Sequence, residues 1–431
     1  MDEALELLLK KGQDLHEYVS KANQPEYLYW DKVRYKHPAD VSPMEFWAMV
    51  KVLRLYSPSR SRTVVRDEKG NYFSWQPLPG LDNFLYLVDR SLGGALEPLL
   101  QVDTDVSKRY KIRSKIEEAI ASSQLEGATT TRSVAKRMLL EKRPADDKSM
   151  QMIRNNYQAI LLIDNELGRQ RFSLEGLLEL HRLLTVDTIN SSEVGRLRTD
   201  ADCVQVVDVH SDVTYHIPPS ASFLMKEINR LLEYANDSLV PGQDEHPVIK
   251  AIILHFWIGY LHPFTDGNGR MARALFYGYL RRRNYSALDF IQLSRAFKNS
   301  PGQYRMAYVY SEQDDNDLTY FIDYNVRQIV KLRREFLLHF QKREYENQKM
   351  VAGVLRAGLS LNDRQIQLLR YLNKTPEATT TVRTHSEVNE ISRPTAQKDL
   401  ERLVSLGFLT SEKQGRERPF RATEKVAELF G

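Results

Sequence analysis

Cysteine is almost missing. The 431-residue chain holds one, Cys203, so no disulfide can close within it and a cysteine-based zinc cluster is excluded. Long apolar runs are missing too: the most apolar stretch, 251–264, contains His255 and His262 and is too short to span a bilayer. The opening MDEALELLLKKGQ is acidic ahead of its leucines and shows no small-residue cleavage site, which argues against a signal peptide. Neither sign of charge dominates. Lys and Arg number 61 against 57 Asp and Glu, a net charge of +4, which excludes a polybasic nucleic-acid coat and an acidic tail but leaves room for a local basic patch. There is no internal repeat and no low-complexity segment. What is present, 42% hydrophobic and 27% charged residues, is the composition of a folded chain of two or three domains. Together these features predict a cytoplasmic protein with no membrane partner.

The pattern divides the chain into four regions. Residues 1–102 mix helical periodicity with one hairpin, SRTVV and NYFSW flanking the turn Asp67–Gly70; Trp30, Trp47 and Trp75 lie here and read as core. Residues 103–345 read as helical, with apolar residues at helical spacing over 108–126, 149–168, 173–188, 221–236, 246–261, 269–283 and 317–345. Inside this region the β-branched stretch 203–217, closed by Pro218 and Pro219, predicts a short hairpin standing off the helical body. The charged stretch 331–349 reads as a solvated helix face, and residues 346–360 as a linker. In 361–431 a helix started by Asn362, a second at 384–390 and a third capped by Ser392 precede a stop at Gly407 and strands at 408–412 and 418–423 around Gly415. That is the order of a winged helix. The expected fold class is mainly α, with a small β-hairpin flap and a C-terminal winged helix-turn-helix.

Chemistry concentrates in His262-Pro263-Phe264-Thr265-Asp266-Gly267-Asn268-Gly269-Arg270, followed by Arg273. Helix 246–261 is apolar almost all round and so belongs in the domain centre. Pro263 biases His262 out of helical conformation and ends that helix, leaving the imidazole at the tip of a core element. Gly267 and Gly269 permit a tight turn, and the next helix begins beside them, so backbone N–H groups and a helix dipole converge where an anion, typically phosphate, binds. Arg270 and Arg273 oppose that dipole, by about 0.3–1 kcal/mol each when exposed. A ligand with more than one phosphate turns the cost into a gain. Asp266 offers an oxygen suited to Mg²⁺, and a histidine at neutral pH can take a proton from an attacking hydroxyl. A Gly-Asn-Gly turn or a lone histidine alone would be structural; the joint occurrence within 262–273 points to attack on a nucleoside triphosphate.

This run resembles the signature of the Fic (filamentation induced by cAMP) family, His-Pro-Phe-x-Asp/Glu-Gly-Asn-Gly-Arg-x-x-Arg, and matches it at every specified position. The resemblance spans about 105–345 and includes Gly195-Arg196-Leu197-Arg198 ahead of the hairpin. It implies a protein adenylyltransferase that moves AMP from Mg-ATP to a Ser, Thr or Tyr hydroxyl of a protein, itself included. In that reading His262 is the base and Asp266 the Mg²⁺ ligand. Gly267, Asn268 and Gly269 cradle the α-phosphate, while Arg270 and Arg273 grip the β- and γ-phosphates. Tyr304 stands where the family often has an aromatic near the nucleotide. Val206, Val207, Asp208, Tyr215 and His216 belong to a flap that pairs with an extended target segment. Asp266 is typical of AMP-transferring members, which ranks phosphate transfer lower.

Helix 108–126 carries Ile112, Ile116 and Ile120 on one face and ends Ser122-Ser123-Gln124-Leu125-Glu126-Gly127. Glu126 opposes its own helix dipole, as Arg273 does, and each is relieved by pairing with the other; read without context, Glu126 is a solvated glutamate. Ser122, Glu126 and Gly127 resemble the inhibitory motif of Fic proteins with an N-terminal brake. The resemblance implies autoinhibition and leaves removal of AMP by the same site as an alternative. In the last segment Arg393, Thr395, Gln397 and Lys398 fall on the first turns of the groove-reading helix, and Lys413, Arg416, Arg418 and Arg421 on the wing. Residues 361–431 carry 12 basic against 10 acidic side chains, so DNA contact and protein docking both stay open. A homodimer stays open as well. The rival to the enzyme is a DNA-associated regulator that senses nucleotide.

Overall fold

The structure is a computed structural model and describes residues 17–23, 26–92, 104–166, 170–207, 212–239, 245–285, 291–356, 358–375, 377–411 and 418–429. A helical stretch at 17–23 (α1), α2 (Trp30–Val33) and α3 (Pro43–Leu55) form the N-terminal corner. Local chemistry starts α3. Ser42 Oγ accepts from Glu45 N at 3.2 Å, the Glu45 carboxylate accepts from Ser42 N at 2.9 Å, and Pro43 fills the first turn. The hairpin follows as antiparallel β1 (Ser61–Arg66) and β2 (Tyr72–Trp75), then α4 (Leu81–Leu92).

Two features of this region go beyond the sequence pattern. The sequence sets 1–102 apart, yet Val64, Val65, Phe73, Phe84 and Val88 share one core with the central helices, and Ser74 exchanges backbone hydrogen bonds with Asn316 and Leu318. A lone two-stranded hairpin is marginal in water and needs such a partner. Trp30, Trp47 and Trp75 are half buried, Trp75 packed against the central core and Trp47 against the N-terminal one. Trp47, with Tyr27 and Tyr320, lies against the buried Arg54 guanidinium and shelters its charge.

The body comprises α5 (Thr104–Leu125), α6 (Arg132–Leu140), α7 (Lys148–Asn165), α8 (Leu174–Thr185), the hairpin β3 (Val206–Val207) and β4 (Thr214–His216), then α9 (Ala221–Ala235), α10 (Pro247–Leu261), α11 (Asn268–Arg282), α12 (Leu293–Asn299), α13 (Pro301–Gln313) and α14 (Thr319–Arg356). Helix α10 is buried from Val248 to Leu261 except at Gly259, and α11 packs along it. The short α6 and α12 escape a periodicity reading because two turns hold too few apolar positions. Helix α14 runs to Arg356 through most of the expected linker. Its straight-chain charged residues favour helix, and the chain turns only at Gly358, φ +66.

Residues 361–429 add α15 (Asp363–Lys374), α16 (Val382–Asn389), α17 (Arg393–Ser405), antiparallel β5 (Leu409–Ser411) and β6 (Phe420–Ala422), and α18 (Lys425–Glu428). Asn362 and Gln365 form a capping box on α15, Ser392 Oγ caps α17, and Gly407 turns the chain at φ +78. Leu369, Leu400, Leu403, Phe408 and Phe420 form a separate core. Lys413, Gly415 and Arg416 lie outside the described residues. This unit rests on α5 and α6: Lys142 pairs with Glu387 at 2.9 Å, and the Arg113 guanidinium lies 5.9 Å from the Tyr371 ring centre. Among the described residues no helix is long and apolar enough to cross a membrane.

Candidate active site

The residue after α10, His262, has φ 46 and ψ 60. Left-handed backbone costs a residue with a Cβ about 1–2 kcal/mol, and Pro263 disfavours the helical alternative. Arg198 holds the turn. Its Nε donates to His262 O at 2.7 Å, its Nη2 to Leu261 O at 3.1 Å and Pro219 O at 2.5 Å, and its backbone N–H to Pro263 O at 2.9 Å. A buried guanidinium thus satisfies the carbonyls at the helix end where a cation is favoured. On the ring, Nδ1 lies 3.2 Å from Gly259 O. That oxygen only accepts, so Nδ1 carries the proton and Nε2 keeps its lone pair. Burial, with repulsion from His216 adding to it, lowers the His262 pKa to about 4. The imidazole is therefore neutral at physiological pH and able to take a proton.

Gly267, at φ +84, swings the chain into α11. Asn268, expected to cradle a phosphate, has its carboxamide folded back: Oδ1 accepts from Phe264 N at 2.9 Å and Nδ2 donates to Phe264 O at 2.7 Å. A buried turn must satisfy both groups of each peptide, so this side chain closes the loop and leaves only backbone for a ligand. Asp266 is half exposed, and its Oδ1 lies 3.5 Å from Arg270 Nη2.

Arg270 and Arg273 are both buried. Arg270 Nη1 donates to Leu184 O at 2.7 Å, but its Nε and Nη2 have no hydrogen-bond partner. Arg273 Nε donates to Ser122 Oγ at 2.9 Å, and Nη2 donates to Ser122 O at 3.0 Å and Glu126 Oε1 at 2.9 Å, while Nη1 is unpartnered. Glu126 just follows α5. Gly127, φ +94, ends that helix in a Schellman turn, with Ala128 N donating to Ser123 O at 3.0 Å and Gly127 N to Gln124 O at 3.2 Å. The carboxylate does more than pair: a Cβ built on Gly269 would lie 2.2 Å from Glu126 Oε1. The Glu126 carboxylate therefore lies against Gly269 in the first turn of α11.

Tyr304 is held among aromatic side chains. Its hydroxyl meets His255 Nε2 at 2.7 Å and its ring stacks on Phe297 at 4.3 Å, with Arg273 close enough to oppose the rise in its pKa that burial causes. The neighbouring aromatics of α12–α14 hold the ring, and its hydroxyl points to His255 beside the arginine. In the hairpin Val206 pairs with His216 and Val207 with Thr214. Val207 is exposed. Tyr215 lies under the Arg305 guanidinium at 4.3 Å, and His216 is turned inward, its ring nitrogens 2.7 Å from Glu312 Oε2 and 2.8 Å from Tyr260 O. Asp208 lies outside the described residues. Arg393, Thr395, Gln397 and Lys398 are all exposed on α17; Gln397 is engaged with Glu401 and Thr395 with Ser392. They stand on a separate unit from the turn at 262–273.

Sequence reasoning gave no role to His181 or Glu312. A single histidine on an amphipathic helix and a single glutamate near a helix end carry no spacing signal.

Residues 171–280 match the Fic/DOC family model. Over 173 residues the chain is 30% identical to protein adenylyltransferase Fic of Nematostella vectensis, covering 38% of this chain and 37% of that protein. Over 103 residues it is 34% identical to protein adenylyltransferase fic-1 of Caenorhabditis elegans, covering 24% and 18%. The chain thus spans well under half the length of these relatives. Among solved structures, a Fic family protein from Desulfovibrio desulfuricans superposes with a TM-score of 0.51 at 18% identity, over 81% of this chain and 97% of that one. A fragment of C. elegans Fic-1 does so with a TM-score of 0.52 at 17% identity, over 78% and 87%. The mainly helical fold is that of these proteins, and the stretch that matches the Fic/DOC family model, 171–280, includes the turn that follows α10.

Proposed function

We propose that the chain is a protein adenylyltransferase that transfers AMP from Mg-ATP to a hydroxyl of a target protein. One observation carries this reading: buried N–H groups of Arg270 and Arg273 that lack a hydrogen-bond acceptor, Arg270 Nη2 having only the half-exposed Asp266 carboxylate at 3.5 Å, converge with the start of α11 beside a neutral imidazole. Buried charged donors left without acceptors are costly, and a polyphosphate supplies the acceptors.

In the transfer, the target oxygen forms a bond to the α-phosphorus of ATP, the bond to the bridging oxygen of pyrophosphate breaks, and the hydroxyl proton passes to His262 Nε2. Arg198 holds the His262 backbone, and Gly259 O fixes the ring tautomer this requires. Backbone N–H groups at 268 and 269 face the charge that develops on the α-phosphate, and the two arginines bind the departing pyrophosphate. Among the described residues no group of three side chains could cage a metal. A single half-exposed carboxylate nevertheless suits Mg²⁺, which takes one or two protein oxygens together with phosphates and waters. Asp266 would hold it, and the ion when bound would neutralise phosphate charge. The exposed edge of β3 offers a strand for a target segment to pair with. Glu126, seated over Gly269 and bonded to Arg273, acts as a brake by holding the place of the γ-phosphate. Removal of AMP is the second reading, favoured by the same carboxylate, which can orient a water where it now lies.

The test uses ATP labelled in turn on the α- and the γ-phosphate, with the wild type and Glu126→Gly. Retention of α-label and loss of γ-label supports the reading; γ-label on protein, or none of either, refutes it.

A further inference from the structure

His181 lies in α8, outside the signature turn, and is fully buried. Its ring stacks face to face on Phe264, with centroids 3.8 Å apart and planes within 4°. Nδ1 accepts the Gly195 N–H at 3.0 Å. A backbone N–H only donates, so Nδ1 is bare and the ring proton is on Nε2. That Nε2–H donates to Asp266 O at 3.0 Å. Burial lowers the pKa to about 4, which keeps this neutral tautomer in place across the physiological range.

A trans peptide is planar, with its C=O and N–H on opposite sides. Fixing the Asp266 carbonyl on α8 therefore points the Gly267 N–H away from α8, where it donates to Asp266 Oδ1 at 2.5 Å. The turn has no slack on the α8 side, since a Cβ on Gly267 would lie 2.9 Å from Thr185 Cγ2 and 3.6 Å from His181 Cδ2. The same ring ties in Gly195, three residues before the Arg198 that caps α10. One imidazole thus links the loop that holds His262 to the loop that binds the anion.

We infer that His181 is a positioning residue for the anion-binding turn: by holding the Asp266 carbonyl it fixes the Gly267 N–H, and through that N–H the Asp266 carboxylate it holds, on the side of the turn where Mg-ATP binds. The inference rests on the reading above that the turn binds Mg-ATP. It does not require that AMP be transferred.

Two substitutions separate this role from packing. His181→Gln can return an amide N–H to the region of Nε2, and His181→Asn an acceptor to the region of Nδ1; both lose the stack on Phe264. Each is made alongside Glu126→Gly, and Mg-ATP binding is measured by calorimetry, AMP transfer by α-label and stability by thermal melts. His181→Gln is expected to bind Mg-ATP within about threefold of its parent. His181→Asn, which frees the Asp266 peptide and with it the carboxylate that would hold Mg²⁺, is expected to bind about tenfold more weakly and to label correspondingly less at equal melting temperature. If the two variants bind alike, or binding follows stability alone, the positioning role is overturned. If the Glu126→Gly parent binds Mg-ATP but labels nothing, the transfer reading fails and the Gln-against-Asn order still decides this inference through affinity. If the parent does not bind Mg-ATP, both fall. Should His181→Asn not fold, the imidazole nitrogen resonances of the wild type decide: retention of the Nε2–H form with a shift on saturation by Mg-ATP supports the role, and an unmoved resonance overturns it.

Discussion

Glu126 allows two opposite effects of one substitution to be worked out. Its carboxylate is 2.9 Å from Arg273 Nη2, with the glutamate side chain 26% exposed and the arginine 2%. Removing one partner of a fully buried pair costs roughly 3–5 kcal/mol. Here the anion is partly solvated and Arg273 keeps Ser122 O and Oγ, so about 2 kcal/mol is expected. In a domain of this size that lowers the melting temperature of the nucleotide-free protein by about 4–8 °C. The same 2 kcal/mol no longer opposes the γ-phosphate, so Mg-ATP affinity rises about thirtyfold, and AMP labelling rises with it. Glu126→Gln serves as control, since it keeps the volume and removes the charge. Calorimetry with Mg-ATP, a thermal melt and α-label incorporation measure the three quantities. A protein that melts lower yet binds and labels as before would refute the reasoning: Glu126 would then be a structural partner of Arg273 and no brake.

Other outcomes are expected on the same grounds. His262→Ala should abolish α-label incorporation and leave Mg-ATP affinity within about twofold, because the ring accepts a proton but contacts no phosphate in this reading; persistent labelling removes His262 as the base. The acid limb of the labelling rate should lie near the His262 pKa of about 4, not near 6.5, so a rate already halved at about pH 6.5 contradicts the burial argument. His181 has its folded pKa lowered to about 4 from about 6.5 when unfolded, so its contribution to stability is complete above the unfolded value and drains as pH falls toward the folded one. Denaturant melts of the wild type should lose about 2–3 kcal/mol more between about pH 7 and about pH 4.5 than those of His181→Gln, and equal losses refute this. Joint replacement of Arg393 and Lys398 by alanine should weaken duplex DNA binding and flatten its logarithmic salt slope by about 2. Intact protein that binds no duplex indicates protein docking by α17 instead.

The chemistry of the turn was legible because its parts are neighbours in the chain. An all-round apolar helix marks the centre, Pro263 forces the end of α10, Gly267 permits the bend, and the next helix must begin beside it. The Asn362 and Ser392 caps and the Gly407 stop were readable for the same reason, as each acts across three or four residues. Even the pairing of Glu126 with Arg273 left a trace, since each is a poor choice for its own helix. Other features left none. Asn268 closes its loop with the side chain expected to meet phosphate, and Tyr304 is held by aromatics from α12 to α14. The hairpin at 61–75, set apart by pattern, joins the central core because two strands alone cannot bury a face.

Taken alone, then, the order of residues determined where helices stop, which groups crowd around 262–273, and that the crowd suits an anion beside a proton acceptor. Only the folded chain decided that Glu126 lies over Gly269, that Arg198 caps α10, and that His181 orients the peptide after Asp266. The reason is one of range. Backbone conformation and capping are set by covalent neighbours, whereas a contact between side chains about 150 residues apart, such as Ser122 and Arg273, exists only once α5, α10 and α11 have packed.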